Sequence, residues 1–209
     1  MDKIIITINR ECGSGGGEIA RLLGKKLGMK VYGRAILENV AQQFGLTLET
    51  MDQVKAKESN WWIDFCRFYQ QFGAASYTPG SKPEVTPMSV YLAEARLLRE
   101  LAEQESCIIV GRAGFHIFRD YPNTLHILII ADHEARVARI SQKQNVTIEE
   151  ASKVIDSVDR ARDTFVKNVA NTSRHDAHNY NLTINVTNIP PERVATLLAD
   201  QIRHILAVI

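Results

Sequence analysis

The sequence has no excess of charge of either sign. Its 209 residues contain 25 Lys and Arg against 24 Asp and Glu, which leaves a formal net charge of +1. A chain with this balance has no bulk electrostatic attraction to nucleic acid or to an anionic membrane, so neither partner is predicted. A site for an anionic ligand therefore has to come from a local arrangement of groups.

Cysteine is scarce, and its spacing argues against the usual cysteine-based sites. The three cysteines, Cys12, Cys66 and Cys107, are odd in number and form no CxxC pair. We therefore predict neither a disulfide framework nor a zinc knuckle. The two histidines of "HDAH" at 175–178 have no third ligand nearby in the sequence, which favours a polar loop. No metal-ligating residue is predicted.

Long apolar runs are also absent. The apolar part of the N-terminal "MDKIIITINRE" is too short for the core of a signal peptide, and the longest later run is "ILIIA" at 127–131. A bilayer span needs about 20 apolar residues. We expect a cytoplasmic protein without a membrane partner, folded as one α/β domain around a single core.

Segments typical of strands alternate with segments typical of helices. The predicted strands are apolar or β-branched runs at 4–8, 30–33, 107–111, 125–131 and 180–187. The predicted helices cover 18–27, 35–44, 46–71, 88–104, 132–142, 147–169 and 190–206, and a long loop covers 73–87. Helix ends are signalled by Gly28, by Thr147 with Glu150, and by Pro190 with Pro191. This alternation predicts an α/β fold with a parallel sheet of five strands between two helical layers.

Residues 9–20 read "NRECGSGGGEIA", a glycine-dense turn between the first predicted strand and the first predicted helix. Phosphate binding needs backbone N–H groups aimed at one point and a helix N-terminus behind them, and this segment provides both. The standard loop, GxxxxGK[ST], adds a lysine for the β- and γ-phosphates and a hydroxyl for magnesium. Aligned on Gly15, this chain has Gly16 and Gly17 at those positions and Arg10 at the first glycine. The dinucleotide pattern fails as well, because Glu18 replaces its third glycine, so a turn without a ligand stays open.

A series of segments, taken in order, resembles the cytidylate kinase-like family, a branch of the P-loop nucleoside monophosphate kinases. These segments are "ITINRECGSGGGEIARLLGKKLG", "VYGRAIL", "CIIVGRAGF", "LHILIIADHEARVARI", "VDRARDTF" and "YNLTINVTNIPPERV". The resemblance spans nearly the whole chain and is weakest at 50–90. The order of the segments is more specific than any one of them.

The resemblance implies a P-loop NTPase-like, three-layer αβα sandwich. It places a CORE at about 1–33, 105–145 and 178–209, a helical segment that binds the nucleoside monophosphate (NMP) at about 34–90, and a short lid at about 146–177. It also implies phosphoryl transfer from ATP, with Mg²⁺, to a small-molecule nucleotide such as CMP or dCMP.

The resemblance also assigns site residues. Arg112, in "VGRAG", matches an arginine that contacts the acceptor phosphate, and Arg160 and Arg162, in "DRARD", match lid arginines that close over the transferring group. Such a group spreads its charge over oxygens that a guanidinium can hold with two hydrogen bonds. The phosphate loop is matched by Gly13, Ser14, Gly15, Gly16 and Gly17, with Glu18 beside it. Since Asp156, Asp159 and Asp163 surround the two lid arginines, a charged helix face is the alternative for them.

The chain departs from the family at charged positions. Gly16 and Gly17 replace the loop lysine and hydroxyl, and Ala113 replaces the aspartate of the family's "GRD". Arg10, with Arg21 and Arg112 behind it, is our candidate for the missing positive charge. Ser14, Asp132 and water are candidate magnesium ligands, and the sequence selects none of them.

Three functions therefore stay open. They are a nucleotide kinase, a nucleotide- or phosphate-binding regulatory protein without useful catalysis, and a kinase with a non-nucleotide acceptor. The third is kept open by the altered region around Gly33, Ala113 and Asn181.

Two further features are open to a structural explanation. Cys12 lies beside the predicted helix N-terminus but has no partnered histidine, so we predict packing for it. A group of aromatic residues on a helical stretch either packs in the core, lines an acceptor pocket or forms the interface of a homodimer. Its members are Trp61, Trp62, Phe65, Phe68, Tyr69 and Phe72.

Overall fold

The computed structural model describes residues 3–33 and 87–208. The chain divides into a first unit of residues 1–33 and 101–209 and a second unit of residues 34–100. The predicted helices at 35–44 and 46–71, the aromatic group and nearly all of the loop at 73–87 lie outside the described residues. The first unit carries the sheet, and the functional division into CORE, NMP-binding segment and lid stays a prediction.

Five parallel strands form one sheet, as the alternation predicts. They are β1 Ile5–Arg10, β2 Lys30–Tyr32, β3 Cys107–Val110, β4 Thr124–Ile130 and β5 Leu182–Asn185. Their order across the sheet is β2-β3-β1-β4-β5, so β1 lies at the centre and pairs with β3 and β4. All residues of β1 before Arg10 are buried, as a central parallel strand covered on both faces requires.

The helices of the described ranges follow the predicted pattern closely. Within the described residues they are α1 Gly16–Leu27, α2 Pro87–Gln104, α3 Gly114–Ile117, α4 His133–Gln144, α5 Ile148–Ala170 and α6 Pro191–Val208, with one 3₁₀ turn at Ala177–Asn179. Gly28 ends α1 in the left-handed region at φ 66°, and α6 begins at Pro191, so both predicted end signals are confirmed. The short α3 was missed, because one turn leaves no periodic pattern.

The main core lies between the sheet and the helices α1 and α6. Isoleucines of β1, β3 and β4 meet apolar residues of the two helices, and full burial of each such side chain contributes about 1.5–3 kcal/mol. The residues concerned include Ile8, Ile108, Ile129, Ile19, Leu23, Leu198 and Ile202. A second, smaller cluster of Val137, Ile140, Ala151 and Ile155 packs α4 against α5.

The carboxyl ends of the parallel strands meet at one edge of the sheet, where the loops of α/β proteins commonly bind ligands. The loop Glu11–Gly15 follows β1 there, and the turn Gly111–Ala113 follows β3. Because β1 and β3 are neighbours in the sheet, the loop and the turn lie side by side.

The prediction ended the first strand at residue 8, which is two residues too early. Asn9 and Arg10 continue the ladder and pair with Leu128 and Ile129 of β4. The polar character of "NR" hid this extension, because the strand was recognised by its β-branched residues. Arg10 is therefore anchored by the sheet at the edge where the glycine loop begins.

The predicted capping pair at the start of α5 is confirmed and gives a first testable expectation. Thr147 Oγ1 accepts a hydrogen bond from the Glu150 N–H at 3.2 Å, and the Glu150 carboxylate accepts one from the Thr147 N–H at 2.9 Å. We expect Thr147→Ala to lower the free energy of unfolding by about 1 kcal/mol in urea denaturation. Thr147→Ser keeps the hydroxyl, so a serine variant as unstable as the alanine variant would contradict this account.

Candidate phosphate-binding site

The glycine loop adopts backbone conformations that only glycine accepts without strain. Gly13 has φ 79° and Gly15 has φ 81°, both in the left-handed region. Gly13 is also too close to α4 for a side chain, because an added Cβ would lie 2.9 Å from the backbone oxygen of Arg136. The loop is therefore packed closely against the first half of α4.

Side chains of α4 and α5 hold the loop from outside. Arg136 Nη1 donates to the Cys12 carbonyl at 3.1 Å, and Arg139 Nη1 donates to the Gly13 carbonyl at 2.7 Å. Asp159 Oδ1 accepts from the Cys12 N–H at 2.9 Å. Inside the loop, Ser14 Oγ donates to the Glu11 carbonyl at 2.9 Å. The loop is thus fixed at Cys12 and Gly13 by groups far away in the sequence.

Three N–H groups of the loop and the start of α1 are left for a ligand. Those of Gly13, Gly15 and Gly17 donate to no group in the part of the chain that the structure describes. They lie at the N-terminus of a helix, where the aligned peptide dipoles add a partial positive charge. This arrangement is suited to an anion such as a phosphate.

The side chain of Arg10 runs beside the loop from the end of β1. A Cβ placed on Gly16 would lie 2.6 Å from Arg10 Cβ and 2.9 Å from Arg10 Cγ. Further along, a Cβ placed on Gly111 would overlap Arg10 Nη1. The arginine therefore passes the first residue of α1 and ends at the turn that follows β3.

Positive charge is concentrated around Arg10. Burial and then charge repulsion lower the pKa of the Arg10 guanidinium to about 9. The repulsion comes from three neighbouring arginines, Arg162, Arg112 and Arg174. Within residues 3–33 and 87–208, no carboxylate lies within ion-pair distance of Arg10. A bound anion would relieve this repulsion, because it would add the opposite charge that the described residues do not place there.

Arg112 lies in a strained turn next to Arg10. Gly111, Arg112 and Ala113 have φ values of 77°, 59° and 48°, so three successive residues are left-handed and two of them carry a side chain. Such backbone strain costs about 1–3 kcal/mol per residue and concentrates at functional sites. The turn places Arg112 at the sheet edge that the sequence predicted for it.

The structure separates the two arginines of "DRARD". Arg162 Nη1 donates to the Arg10 carbonyl at 3.2 Å, which brings Arg162 to the base of the glycine loop. Arg160 is exposed, and since it lies two residues earlier in α5 it points to the opposite side of the helix. Arg162 therefore joins the site residues, whereas the role assigned to Arg160 stays a prediction that no described contact supports.

A buried ion-pair network that the sequence did not reveal lies under the loop. We call it the Asp159 network, meaning Asp159 with Glu11, Arg136, Arg162 and Arg174. Asp159 Oδ2 lies 2.5 Å from Arg136 Nη1, and Asp159 Oδ1 lies 3.2 Å from Arg174 Nη1. Their side chains are 13%, 9% and 1% exposed, so these pairs are largely removed from water. The only sequence signal was the mixed charge of α4 and α5, which does not show that the partners lie on different segments.

Arg174 also ties the segment after α5 to the central strand. Its Nη1 donates to the Arg10 carbonyl at 3.2 Å, and its own carbonyl accepts from the Tyr180 hydroxyl at 2.7 Å. The same hydroxyl accepts from the Asn9 side-chain amide at 2.6 Å. Burial raises the pKa of Tyr180 to about 12, so this hydroxyl stays protonated and can donate. The Tyr180 hydroxyl is thus the junction between β1 and the Arg174 segment.

Loss of the Tyr180 hydroxyl should measurably weaken this junction. In Tyr180→Phe the buried Asn9 amide loses its acceptor and the Arg174 carbonyl loses its donor. We expect the free energy of unfolding to fall by about 1–3 kcal/mol in urea denaturation. Tyr121→Phe is the matched control, since among the described residues the Tyr121 hydroxyl has no hydrogen bond, and it should change stability by about 0.5 kcal/mol at most. Equal effects of the two variants would contradict the assignment.

The described residues offer little to a magnesium ion. Position 17 has no hydroxyl, and the Ser14 hydroxyl is buried and bonded within the loop. Asp132 Oδ1 accepts from the Asn185 side chain at 3.2 Å. Among the described residues, no group of three or more His, Cys, Asp or Glu side chains could hold a metal ion.

Two sequence expectations concern side chains close to this site. Burial raises the pKa of the Cys12 thiol, and the side chain packs against the small cluster between α4 and α5. Cys12 is therefore a neutral packing residue, as predicted. In "HDAH", His175 Nε2 lies 3.2 Å from Glu11 Oε1, which connects this segment to the Asp159 network.

Asn181 corrects one prediction. Asn181 was predicted to belong to the altered acceptor region, but its Oδ1 accepts from the His126 N–H at 2.7 Å. His126 is the third residue of β4, near the amino end of the strand, whereas the glycine loop follows the carboxyl end of β1. Asn181 therefore binds the amino end of β4, at the opposite edge of the sheet from the glycine loop.

The chain matches a known protein family over most of its length. The sequence pattern of the cytidylate kinase-like family matches residues 5–188. The chain belongs to the cytidylate kinase-like family. The match contains the glycine loop, the turn after β3 and the whole of α5, which carry the groups described above. Membership of this family supports a nucleotide kinase activity and the use of a nucleotide.

The individual proteins that this chain resembles share little sequence identity with it. The cytidylate kinase of Thermoplasma volcanium is 22% identical over 200 residues, which cover 94% of this chain and 90% of the relative. An uncharacterized protein from Eubacterium ventriosum has a TM-score of 0.71 at 20% identity, with 96% of this chain and 99% of the other covered. Shikimate kinase from Acinetobacter baumannii has a TM-score of 0.51 at 12% identity, with 97% and 94% covered. The likeness to shikimate kinase confirms the predicted P-loop kinase type of α/β fold.

None of the helices in the described ranges combines the length and the apolar character that crossing a bilayer would need.

Proposed function

We propose that this protein transfers the γ-phosphoryl group of ATP to a nucleoside monophosphate, with CMP or dCMP as the acceptor. Family membership supports the nucleotide kinase class, and the distant relative from Thermoplasma volcanium, a cytidylate kinase, supports the acceptor. Mg²⁺ accompanies the nucleotide, bound through the phosphates, because the described residues provide no metal-binding cluster.

One observation carries the proposal. Free N–H groups at the start of α1 lie beside an arginine that is crowded by three others and has no carboxylate partner in the described ranges. Crowded positive charge of this kind is electrostatically unfavourable in the protein alone and becomes favourable once a polyanion binds. Structural arginines, by contrast, are paired with carboxylates, as Arg136 and Arg174 are here.

Each group then has a distinct task. The N–H groups of Gly13, Gly15 and Gly17 bind donor phosphates, with Ser14 keeping the turn closed and Gly16 and Glu18 opening α1. Arg112 binds the acceptor phosphate from its strained turn. Arg162 binds the transferring phosphoryl group, whose charge is spread over its oxygens. Arg160, on the outer side of α5, would need a different arrangement of this helix to take the same part.

A second candidate is a nucleotide-binding regulatory protein with little or no catalysis. Gly16 and Gly17 favour it, since they bring no lysine and no hydroxyl to the phosphates, and the Ser14 hydroxyl is already bonded within the loop. Losing one preorganised donor at a transition state typically costs about 10²- to 10³-fold in rate. A kinase with a non-nucleotide acceptor also remains, on the basis of Ala113.

A ligand and activity screen tests the proposal and separates these candidates. Thermal unfolding is measured with ATP, GTP, CMP, dCMP, AMP and shikimate, each with and without Mg²⁺, and coupled turnover is measured for every donor and acceptor pair. The expected result is stabilisation by ATP together with turnover on CMP or dCMP. Stabilisation by ATP without turnover on any acceptor would favour the regulatory protein. No stabilisation by any nucleotide would overturn nucleotide binding altogether.

A further inference from the structure

We propose that Arg10, the last residue of β1, supplies the donor-phosphate cation that a standard phosphate-binding loop takes from a lysine at the start of its helix. Positions 10 and 16 share one space, and this chain fills that space from the strand instead of from the helix. The inference rests on the proposed function, because it concerns the same donor phosphates.

The geometry at Gly16 is the first argument. A Cβ at this position would lie 2.6 Å from Arg10 Cβ, a separation that two Cβ atoms cannot adopt. A side chain at position 16 therefore excludes a side chain at position 10 unless the backbone moves. In the standard pattern GxxxxGK, glycine stands at the first of these positions and lysine at the second. This chain has the reverse, Arg10 with Gly16.

The backbone itself does not require glycine at position 16. Gly16 is the first residue of α1, and its φ is not in the left-handed region, unlike those of Gly13 and Gly15. Its neighbour Gly17 has open space where a Cβ would lie, with nothing within 4 Å. Among the residues that surround Gly16 in the structure, the Arg10 side chain is therefore what excludes a side chain there.

A second glycine receives the other end of the arginine. A Cβ on Gly111 would overlap Arg10 Nη1, so the guanidinium fits against this turn because no side chain is present. Gly111 immediately precedes Arg112, which we propose binds the acceptor phosphate. The Arg10 guanidinium thus lies between the glycine loop and the acceptor arginine. Donor phosphates have to bind next to this position during transfer, because the donor and acceptor must be in contact.

The charges single out Arg10 within the cluster. Arg174 is paired with Asp159 and Asp163, and Arg162 lies 3.7 Å from Asp159. Arg10 has no carboxylate at ion-pair distance among the described residues, and nearby arginines repel it. A guanidinium can hold two phosphate oxygens at once, which a lysine ammonium does less specifically. Arg10 is therefore available for a phosphate, whereas carboxylates already pair with Arg162 and Arg174.

The decisive test moves the cation back to the helix. Three variants of the full chain are made: Arg10→Gly, Gly16→Lys and the double variant that carries both. Arg10→Gly is used because alanine would keep the Cβ that blocks position 16. Isothermal titration measures the affinity for ATP and for inorganic tripolyphosphate, a probe that reports on phosphate binding alone.

Each single variant should lose affinity for both probes by roughly 10- to 100-fold. Arg10→Gly loses it because the charge is gone, and Gly16→Lys loses it because the new side chain collides with Arg10. The double variant recreates the order glycine, then lysine, and should recover affinity to within about fivefold of the parent protein. A double variant that binds no better than Arg10→Gly would overturn the shared-space proposal.

Two further variants guard against misfolding and against effects of net charge. Arg10→Met fills similar volume without charge, and it should keep the thermal midpoint of the ligand-free protein while losing affinity roughly tenfold or more. Arg203→Ala removes an exposed arginine that contacts the Lys26 carbonyl, at the far end of α1, and should leave affinity unchanged. Unchanged affinity in Arg10→Met would overturn the inference.

The outcomes also distinguish this inference from the proposed function. If the parent protein binds both probes and Arg10→Met binds them equally well, nucleotide binding stands and the inference alone fails. If the parent protein binds neither probe, the proposed function fails and the inference fails with it.

A stability comparison gives an independent readout. Gly16→Ala should lower the thermal midpoint in the absence of ligand, because the new Cβ meets Arg10. Gly17→Ala places its Cβ in open space within the first turn of the same helix, and the midpoint should stay the same or rise. Equal midpoints for the two variants would overturn the claim that the Arg10 side chain is what excludes a side chain at position 16.

Discussion

The Asp159→Ala variant should lose about 3–5 kcal/mol of its free energy of unfolding. Asp159 is the carboxylate partner of two arginines whose side chains are only 9% and 1% exposed, Arg136 and Arg174. Removing it leaves buried Arg136 with Glu11 alone, at 3.6 Å, and buried Arg174 with the half-exposed Asp163 alone, so much of the desolvation cost that the ion pairs had offset then appears. Urea denaturation followed by circular dichroism measures the change.

The same variant should also disturb the glycine loop. Asp159 accepts a hydrogen bond from the Cys12 N–H, so its loss frees one anchor of the loop as well as the two arginines. We therefore expect weaker tripolyphosphate binding in addition to lower stability. Asp156→Ala is the matched control on α5, because Asp156 is exposed and paired only with the exposed His133 among the described residues. That variant should change stability by about 1 kcal/mol at most, and a comparable loss in both variants would contradict the role given to Asp159.

Gly13→Ala should lower the free energy of unfolding by about 2–5 kcal/mol. The left-handed conformation at φ 79° costs an alanine about 1–2 kcal/mol. The added Cβ would also lie 2.9 Å from the backbone oxygen of Arg136, and relieving such a contact typically costs about 1–3 kcal/mol. The neighbour is a helix backbone and not a flexible side chain, so the loop has to move away from α4.

Gly28→Ala separates the two causes. Gly28 is also left-handed, at φ 66°, but nothing lies within 4 Å of its added Cβ. It should therefore show only the conformational cost of about 1–2 kcal/mol. The excess loss in Gly13→Ala measures the collision with α4, and equal losses in the two variants would show that the loop is not packed against Arg136 as described.

These two predictions describe one property of the site. Long α5, which the resemblance places in a lid, is a single helix of 23 residues whose Asp159 and Arg162 contact the backbone of Cys12 and Arg10. Substitutions in α5 should therefore alter phosphate binding through the loop as well as through any direct contact with substrate. A stability change and a binding change that occur together are the signature of this coupling.

Much of the fold follows from the sequence because it is local. The β-branched runs mark strands, and Gly28, Thr147 and Pro191 mark helix ends through conformations or hydrogen bonds made within a few residues. The boundaries of β1 and the one-turn α3 escaped, since polar residues can continue a strand and a single turn has no period. The glycine loop was identifiable for the same local reason, because its conformation depends on adjacent glycines.

At the site, too, some residue roles follow from the sequence and others only from the tertiary structure. Sequence alone determined that position 16 carries no lysine and that Arg10, Arg112, Arg160 and Arg162 are the arginines to consider. Only the tertiary structure decided that positions 10 and 16 compete for one space, that Arg160 faces away from the loop, and that Asn181 belongs to the far edge of the sheet. It also revealed the pairing of Asp159 with Arg136 and Arg174. The reason is physical: ion pairs and steric exclusion act between atoms that are close in space, and the partners here come from segments that only the packing of the sheet and its helices brings together.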